Sequence, residues 1–291
     1  MKIAVLGTGA MGSALAEAFL KAGHQVVVYN RTAAKMAPLV ALGATAAATP
    51  VDAIKASDVA LTVLIDAAAV RETLLGDAAR ASLAGRKLLN VTTTTPTEIV
   101  ELARDVAACG GALSETTVAV YPHHIRNGEG QFIIAGPEAD DALWRTLLLG
   151  IGQCVHRAGV VGDATKAEMP LVPAFMFNVI ATAYAVVIGK KLNVPPAILE
   201  HYLTANPTLS ITGAKSFLPQ MLARQYSESM ASIDNMGIAA NITLDQAKSL
   251  DIPTKIIVDM IDLFKIASER GLGAKDVSGV FEILMDPGKQ A

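Results

Sequence analysis

From residue 2 to about residue 157 the apolar positions come in short runs separated by segments of helical period. The runs at 2–6, 25–29, 59–64, 87–91, 112–118, 131–135 and 153–157 read as buried strands. Between them, 14–22, 46–56, 70–75, 97–108 and 138–148 place apolar side chains at three- and four-residue spacing and read as helices. Strands alternating with helices predict an α/β domain. The stretch from 120 to 128, rich in Pro, His and Gly, is expected to be an irregular rim loop.

A turn and a charged patch follow at Gly162, Asp163, Lys166 and Glu168, and then no charged side chain occurs over 169–189. A run of about 20 uncharged residues is long enough to cross a bilayer. Pro170 and Pro173 in its first turns, Asn178 near its middle, and α/β and helical sequence on either side favour a helix buried in a soluble protein instead. Beyond Lys191 the pattern is helical, with segments at 197–203, 216–226, 238–250 and 253–270, a break at Asn206-Pro207, and a last helix through 282–285 headed by Asp276. These few helices cannot surround a helix that is apolar on all sides, so a second subunit is expected to complete the core. The expected division is an α/β domain over 1–160, a long interdomain helix over 161–191 and an all-α domain over 192–291.

The first strand runs straight into Gly7-Thr8-Gly9-Ala10-Met11-Gly12, and a helix follows. Between a strand and a helix, G-x-G-x-x-G makes a tight turn, lets backbone approach a pyrophosphate, and points a helix N-terminus at its charge. This predicts a dinucleotide-binding (Rossmann) domain, with Gly7, Gly9, Ala10, Met11 and Gly12 at the cofactor. The second strand ends on Asn30-Arg31-Thr32, with Lys35 one turn on, where an NAD site would carry Asp or Glu. Guanidinium, hydroxyl and ammonium groups attract a 2′-phosphate that a carboxylate would repel, so NADPH is the expected cofactor. Ligands of open α/β sheets lie beyond the carboxyl ends of the strands, which brings Leu64, Ile65 and Asp66, and Thr92, Thr93, Thr94 and Thr95, to the same place. Thr95, followed by Pro96 and by Glu98 at capping-box spacing, reads as a helix cap; Thr93 and Thr94 are the better candidates to point into the site.

Charge and composition narrow the class further. The net charge is −3 with no basic patch, which argues against a nucleic-acid partner. At 52% hydrophobic and 18% charged residues, with a mean hydropathy of +0.42, the chain is apolar for a monomer and again suggests an oligomer. Cys109 and Cys154 have no paired spacing, and no histidine pattern suits a metal. His123 and His124, adjacent on an extended segment, would point in opposite directions and read as loop histidines. The opening MKIAVLG is a strand rather than a signal peptide, so a cytoplasmic protein is expected.

Taken together, the Gly7–Gly12 turn, Gly23-His24, Asn30-Arg31-Thr32, Leu64-Ile65-Asp66, the Gly162 turn into a long helix, and the closing GLGAKDVS resemble the β-hydroxyacid dehydrogenase superfamily over nearly the whole chain. Within it, Asn90-Val91-Thr92-Thr93-Thr94-Thr95-Pro96 and Ala119-Val120-Tyr121-Pro122 look most like the imine reductases and reductive aminases. The dehydrogenases open their long helix with Gly-x-Gly-x-x-x-Lys, the lysine transferring the proton, and place an Asn four residues on. Counted from Gly162, these fall on Glu168 and Val172. Imine reductases usually carry Asp there, or Tyr in a minority. Two further departures are Met176, where many members have an aromatic, and Val160, where an acid is common.

The resemblance implies a homodimer whose active site lies between the dinucleotide domain of one subunit and the helical domain of the other. It also implies NADPH-dependent reduction of C=N bonds in cyclic imines or iminium ions, with reductive amination as an extension. Glu168 would be the key acid, and Thr94, Tyr121 and Met176 would line the substrate. A hydroxyacid carries its own carboxylate, which Glu168 would repel, with Glu115 nearby adding to the effect. A protonated imine is instead stabilised by an anion. Alternatively, burial raises the Glu168 pKa and makes it a proton donor. Glu168 also reads as a first-turn acid complementing the helix dipole, and Tyr121 as a surface tyrosine. A hydroxyacid-type dehydrogenase with an altered proton donor and a non-catalytic NADP(H)-binding sensor are the other two readings.

Overall fold

The computed structural model describes residues 1–191, 193–205, 212–226, 231–249 and 254–286, which form two compact units, Met1–Glu168 and Met169–Ala291. The first unit is a doubly wound α/β structure. In chain order it comprises β1 (Lys2–Leu6), α1 (Ala10–Lys21), β2 (Gln25–Tyr29), α2 (Ala37–Ala41), β3 (Thr45–Ala46), α3 (Pro50–Lys55), β4 (Val59–Thr62), α4 (Ala67–Leu75) and α5 (Asp77–Arg80). It continues with β5 (Lys87–Asn90), α6 (Pro96–Ala108), β6 (Ala112–Val118), α7 (Pro122–Arg126), β7 (Gly130–Ala135), α8 (Glu138–Leu149), β8 (Gly152–Gly159) and α9 (Asp163–Glu168).

The eight strands lie in the order β3-β2-β1-β4-β5-β6-β7-β8, and every neighbouring pair is parallel except β6 and β7. Alternation along each strand builds two cores. Ile3, Val5, Val26 and Val28 face Leu15 and Phe19 of α1 and Trp144 and Leu147 of α8; Ala4, Leu6 and Val27 face Ile54, Val70, Leu74 and Leu102 on the other side. Strands buried on both faces need near-continuous apolar runs, which is why the sequence marks them so clearly.

Strand ends differ from expectation by a few residues, and three local differences have physical causes. The segment 46–56 carries a short helix as expected, α3, and the two-residue strand β3 before it is an addition. Pro50 opens α3, and the Thr49 hydroxyl accepts a hydrogen bond from the Asp52 amide, which fixes the start of the helix there. The rim loop contains helix α7, because Pro122 takes the first helical position and the Tyr121 amide donates to Nδ1 of His124 at 3.2 Å. The Gly162 turn leads into α9, and a second helix starts only at Leu171. Pro170 has no amide hydrogen and biases Met169 away from helical geometry, so the two helices cannot join.

The second unit contains α10 (Leu171–Lys191), α11 (Pro196–Ala205), α12 (Thr212–Ala223), α13 (Ile233–Ser249), α14 (Lys255–Ala267) and α15 (Val280–Met285). Met176, Val179, Ala183 and Val186 of α10 are buried at helical spacing, and the Phe175 and Phe217 rings lie 5.8 Å apart. Asp276 caps the turn before α15 by accepting from the Ser278 amide at 2.9 Å. The Asn206-Pro207 break lies outside the described residues. Among the described residues no helix is long and apolar enough to cross a membrane.

Candidate active site

The strand order reverses at β1, with β2 and β3 to one side and β4 to β8 to the other. In such sheets the crevice beyond the carboxyl end of the switch strand takes the ligand. Gly7 sits there with a φ of +106°, and a Cβ on it would overlap the Val63 carbonyl oxygen; one on Gly12 would overlap the carbonyl oxygen of Gly7. Those two glycines are needed by the chain itself. Gly9 is different: a Cβ on it would meet no protein atom within 4 Å. The first helical bond of α1 runs from the Ser13 amide to the Gly9 carbonyl at 2.8 Å, which leaves the amides of Ala10, Met11 and Gly12 without helical partners. No acidic side chain lies in that first turn and no side chain caps it. An open glycine face and three outward amides at a helix N-terminus fit the pyrophosphate of a dinucleotide.

The end of β2 is tied to this turn. The Thr8 amide donates to Oδ1 of Asn30 at 3.1 Å, and Nδ2 of Asn30 donates to the Thr32 carbonyl at 3.1 Å. Asn30 thus shapes the pocket rim, while Arg31, Thr32 and Lys35 are exposed just beyond it with no carboxylate among them. On the other side of β1, the Leu64 amide donates to the Thr92 hydroxyl at 2.9 Å, and Asn90 bonds both the Thr62 hydroxyl (2.9 Å) and the Thr92 carbonyl (2.8 Å). The Thr92 side chain therefore knits the ends of β4 and β5. Asp66 accepts from the Ala69 amide at 2.8 Å and caps α4, so its carboxylate has a structural task beside any contact with a cofactor. Ile65 is exposed, Thr93 half-buried, and Thr95 forms the expected capping box with Glu98. Thr94 is buried, and its hydroxyl has no hydrogen-bond partner among the described residues.

Helix α9, which carries Glu168, packs on β6, β7, β8 and α6. Glu115 of β6 is fully buried and receives the Gly162 amide at 2.5 Å, the Ala164 amide at 3.1 Å and the Thr165 hydroxyl. Gly162 turns at φ +103° beside Val100 and Pro96, which sets the start of α9 against the start of α6. Glu168 itself is partly exposed and has no hydrogen-bond or ion-pair partner among the described residues. Burial of its carboxyl, and then the neighbouring charge of Glu115, push it up to about 7. Burial also pushes Glu115 up, opposed by its hydrogen bonds from Thr165, Gly162 and Ala164.

The β6–β7 connection forms the rim. Tyr121 is partly buried, and its ring stacks at 5.9 Å from both His123 and His124, whose own rings are 4.0 Å apart. Because α7 is helical rather than extended, the two imidazoles lie side by side and do not diverge. Burial and the neighbouring His124 hold His123 below the usual histidine range. Arg126 anchors this rim to α1 through Glu17 at 2.8 Å. Met176 belongs to the second unit, where it is buried on α10.

The first unit therefore gathers Gly7 to Gly12, Asn30, Leu64 and Thr92 through direct bonds and near contacts, with Tyr121 on the rim. Sequence reasoning missed one functional candidate. The Thr8 hydroxyl, inside the glycine turn, is buried without a partner among the described residues. A polar residue between the first two glycines was its signal. Glu115, expected only as a neighbour of Glu168, accepts from the Gly162 and Ala164 amides and the Thr165 hydroxyl where α9 begins.

A doubly wound sheet, an anion-binding glycine turn at its switch point and an isolated carboxyl with a raised pKa define a nicotinamide-dependent oxidoreductase. Residues 2–160 match the family described as the NAD binding domain of 6-phosphogluconate dehydrogenase. The chain is 30% identical over 203 residues to a 3-hydroxyisobutyrate dehydrogenase of Pseudomonas aeruginosa, an alignment spanning 69% of this chain and 68% of that one. Among solved structures, a 3-hydroxyisobutyrate dehydrogenase from Salmonella typhimurium superposes with a TM-score of 0.88 at 21% identity, covering 97% of this chain and 99% of the other. An imine reductase from Myxococcus stipitatus in complex with NADP+ superposes at 0.69 and 24%, covering 98% and 100%. The chain belongs to the β-hydroxyacid dehydrogenase superfamily, as an NAD(P)-dependent oxidoreductase.

Proposed function

We propose that the protein reduces C=N bonds, in cyclic imines or iminium ions and by extension in reductive amination, with NADPH as the hydride source. The observation that carries this reading is Glu168: an acid without a cationic partner, holding its proton to about pH 7, at the position where the resemblance puts the dehydrogenases' proton-transferring lysine. A carboxylate substrate would be repelled there, whereas a neutral imine nitrogen can take a proton from Glu168. The resulting iminium ion is paired with the carboxylate left behind, so the charge that develops on nitrogen is matched where it forms. When bound, the nicotinamide supplies the hydride to the imine carbon. The amine leaves, and Glu168 regains its proton from solvent. Thr94 and Tyr121 orient the nitrogen.

Arg31, Thr32 and Lys35 support NADPH over NADH, since all three attract a 2′-phosphate. A homodimer is part of the proposal, supported by the exposed Leu171, Phe177, Ile198, Tyr202, Val258 and Ile266 of the helical unit. The test compares NADPH consumption on a pyrroline or dihydroisoquinoline with oxidation of a β-hydroxyacid by NADP+. Imine turnover is expected to fall at least about a hundredfold in both Glu168→Gln and Glu168→Lys. Arg31→Ala should raise KM for NADPH and leave that for NADH nearly unchanged. The second reading, a hydroxyacid-type dehydrogenase with an altered proton donor, is supported by the 30% identity to a protein named 3-hydroxyisobutyrate dehydrogenase. Hydroxyacid oxidation without imine reduction would establish it in place of the first.

A further inference from the structure

Glu115 is an expensive residue to place in a strand core. It is 1% exposed, in register with Asn90 of β5 and Ala135 of β7. An acid buried this deeply is either neutral or met by several donors. Here the donors are present: the amides of Gly162, Ala164 and Thr165 and the hydroxyl of Thr165 all converge on it. All of these groups donate, so they favour the carboxylate form of Glu115.

The residues that bind Glu115 are those that neighbour Glu168 along the helix. Thr165 and Ala164 stand three and four positions before Glu168 in α9, the spacing at which side chains share a helix face. The carboxylate of Glu115 is thus held at the first turn of the six-residue helix that ends in Glu168. Glu168 has no donor of its own among the described residues. Burial pushes both acids up, but only Glu115 has donors that oppose it, so of the two Glu115 is the better placed to ionise first.

We propose that Glu115 is a positioning residue for Glu168: as a buried acid bound by the Gly162 and Ala164 amides and the Thr165 hydroxyl, it fixes the first turn of α9 and sets a second acid on the short helix that carries Glu168. This deepens the reading of Glu168 as the proton donor and rests on it for its functional meaning, but not for its test.

The other charged groups on α9 and on the elements packed against it within the first unit are engaged elsewhere or exposed. Asp163 and Lys166 pair with each other at 2.8 Å, and the Lys166 ammonium also feels the charge of Glu115. On β8, Arg157 is bound to Asp141 at 3.3 Å, and His156 is exposed. On α6, Glu98 caps Thr95, Asp105 pairs with Arg71 and Arg104, and Glu101 is exposed. Strand β7 carries no charge. This leaves Glu115 as the charge that acts on Glu168.

The experiment is a carbon-13 NMR titration of Glu side-chain carboxyls in the full-length protein, without substrate, for wild type, Glu168→Gln, Glu115→Gln and Glu115→Asp. Glu115→Gln keeps an acceptor for the Gly162 and Ala164 amides and an amide for the Thr165 hydroxyl, but removes the charge. The wild type should show one carboxyl with a midpoint near 7, absent in Glu168→Gln. In Glu115→Gln that midpoint should drop by about one pH unit, and in Glu115→Asp it should stay high. An unchanged midpoint in a folded Glu115→Gln would overturn the proposal and reduce Glu115 to a helix anchor. Should Glu115→Gln fail to fold, Thr165→Val decides: it removes one donor to Glu115 and should lower the same midpoint, and an unchanged midpoint would overturn the proposal. A midpoint near 7 that persists in Glu168→Gln would mean that Glu115, not Glu168, holds the proton. Imine turnover, assayed separately on the same proteins, tests the function. A titration as expected with no imine turnover would remove the function and leave the pairing intact.

Discussion

Glu168 ties stability to pH as well as to chemistry. Its folded pKa of about 7 lies above the ordinary 4.5, so between those values the folded protein holds more protons at this site than the unfolded chain does. Stability from this group is therefore unimpaired below about pH 4.5, falls as pH rises through the window, and levels off above about 7. The full shift corresponds to at most about 3 kcal/mol, reduced by whatever hydration the partly exposed side chain keeps. Urea unfolding at pH 5 and pH 8 should show wild type losing stability relative to Glu168→Gln; a constant difference between the two proteins would contradict the raised pKa. Individual side chains were legible in the sequence to different degrees. Position 168 could be counted from the Gly162 turn, and Thr95 announced itself through Glu98 three residues later. The tasks of Asp66 and Thr92 could not be read, because capping Ala69 and holding Leu64 depend on where two loops meet in space.

At the level of elements, the turn from β1 into α1 makes two different demands on glycine. Gly12→Ala would drive a methyl group into the Gly7 carbonyl and should lower Tm by several degrees while abolishing cofactor binding. Gly9→Ala meets no protein atom, so it should leave Tm within about a degree of wild type and weaken NADPH binding tenfold or more. Calorimetry of the free proteins and a fluorescence titration with NADPH separate the two; a Gly9→Ala protein that binds normally would count against the pyrophosphate placement. The central strands β1, β2 and β4 were the most legible elements, since burial on both faces leaves a nearly unbroken apolar run, whereas the exposed two-residue β3 gave no such signal. Helix ends were less legible. Thr49 and Pro50 set where α3 starts, Pro122 made a helix out of a supposed loop, and Pro170 divided α9 from α10. In each case a proline acted where its neighbours' periodicity gave no warning.

For the whole molecule, the alternation of strand and helix up to residue 159 and the helices after it were readable as a plan, and the match over residues 2–160 agrees with that plan. How subunits associate follows from surfaces that no periodicity reveals. The proposed homodimer predicts a mass of twice 30.2 kDa by light scattering at micromolar concentration, with no monomer peak. A clean monomer that still reduces imines would remove the partner subunit from the mechanism.

One departure in the sheet has a consequence for how such a protein can change. Because β7 runs against β6, the connection between them leaves and re-enters the sheet at the same edge, spanning residues 119–129 and latched by the bond from the Ala119 amide to the Gln131 carbonyl at 3.0 Å. A parallel neighbour would have required a crossover through the body of the domain. The segment with Tyr121, His123 and His124 is therefore an exchangeable cassette. Ile125 stays fixed in the core beside α1, while exposed positions such as His123 can drift without rethreading a strand or disturbing the glycine turn and the buried acid.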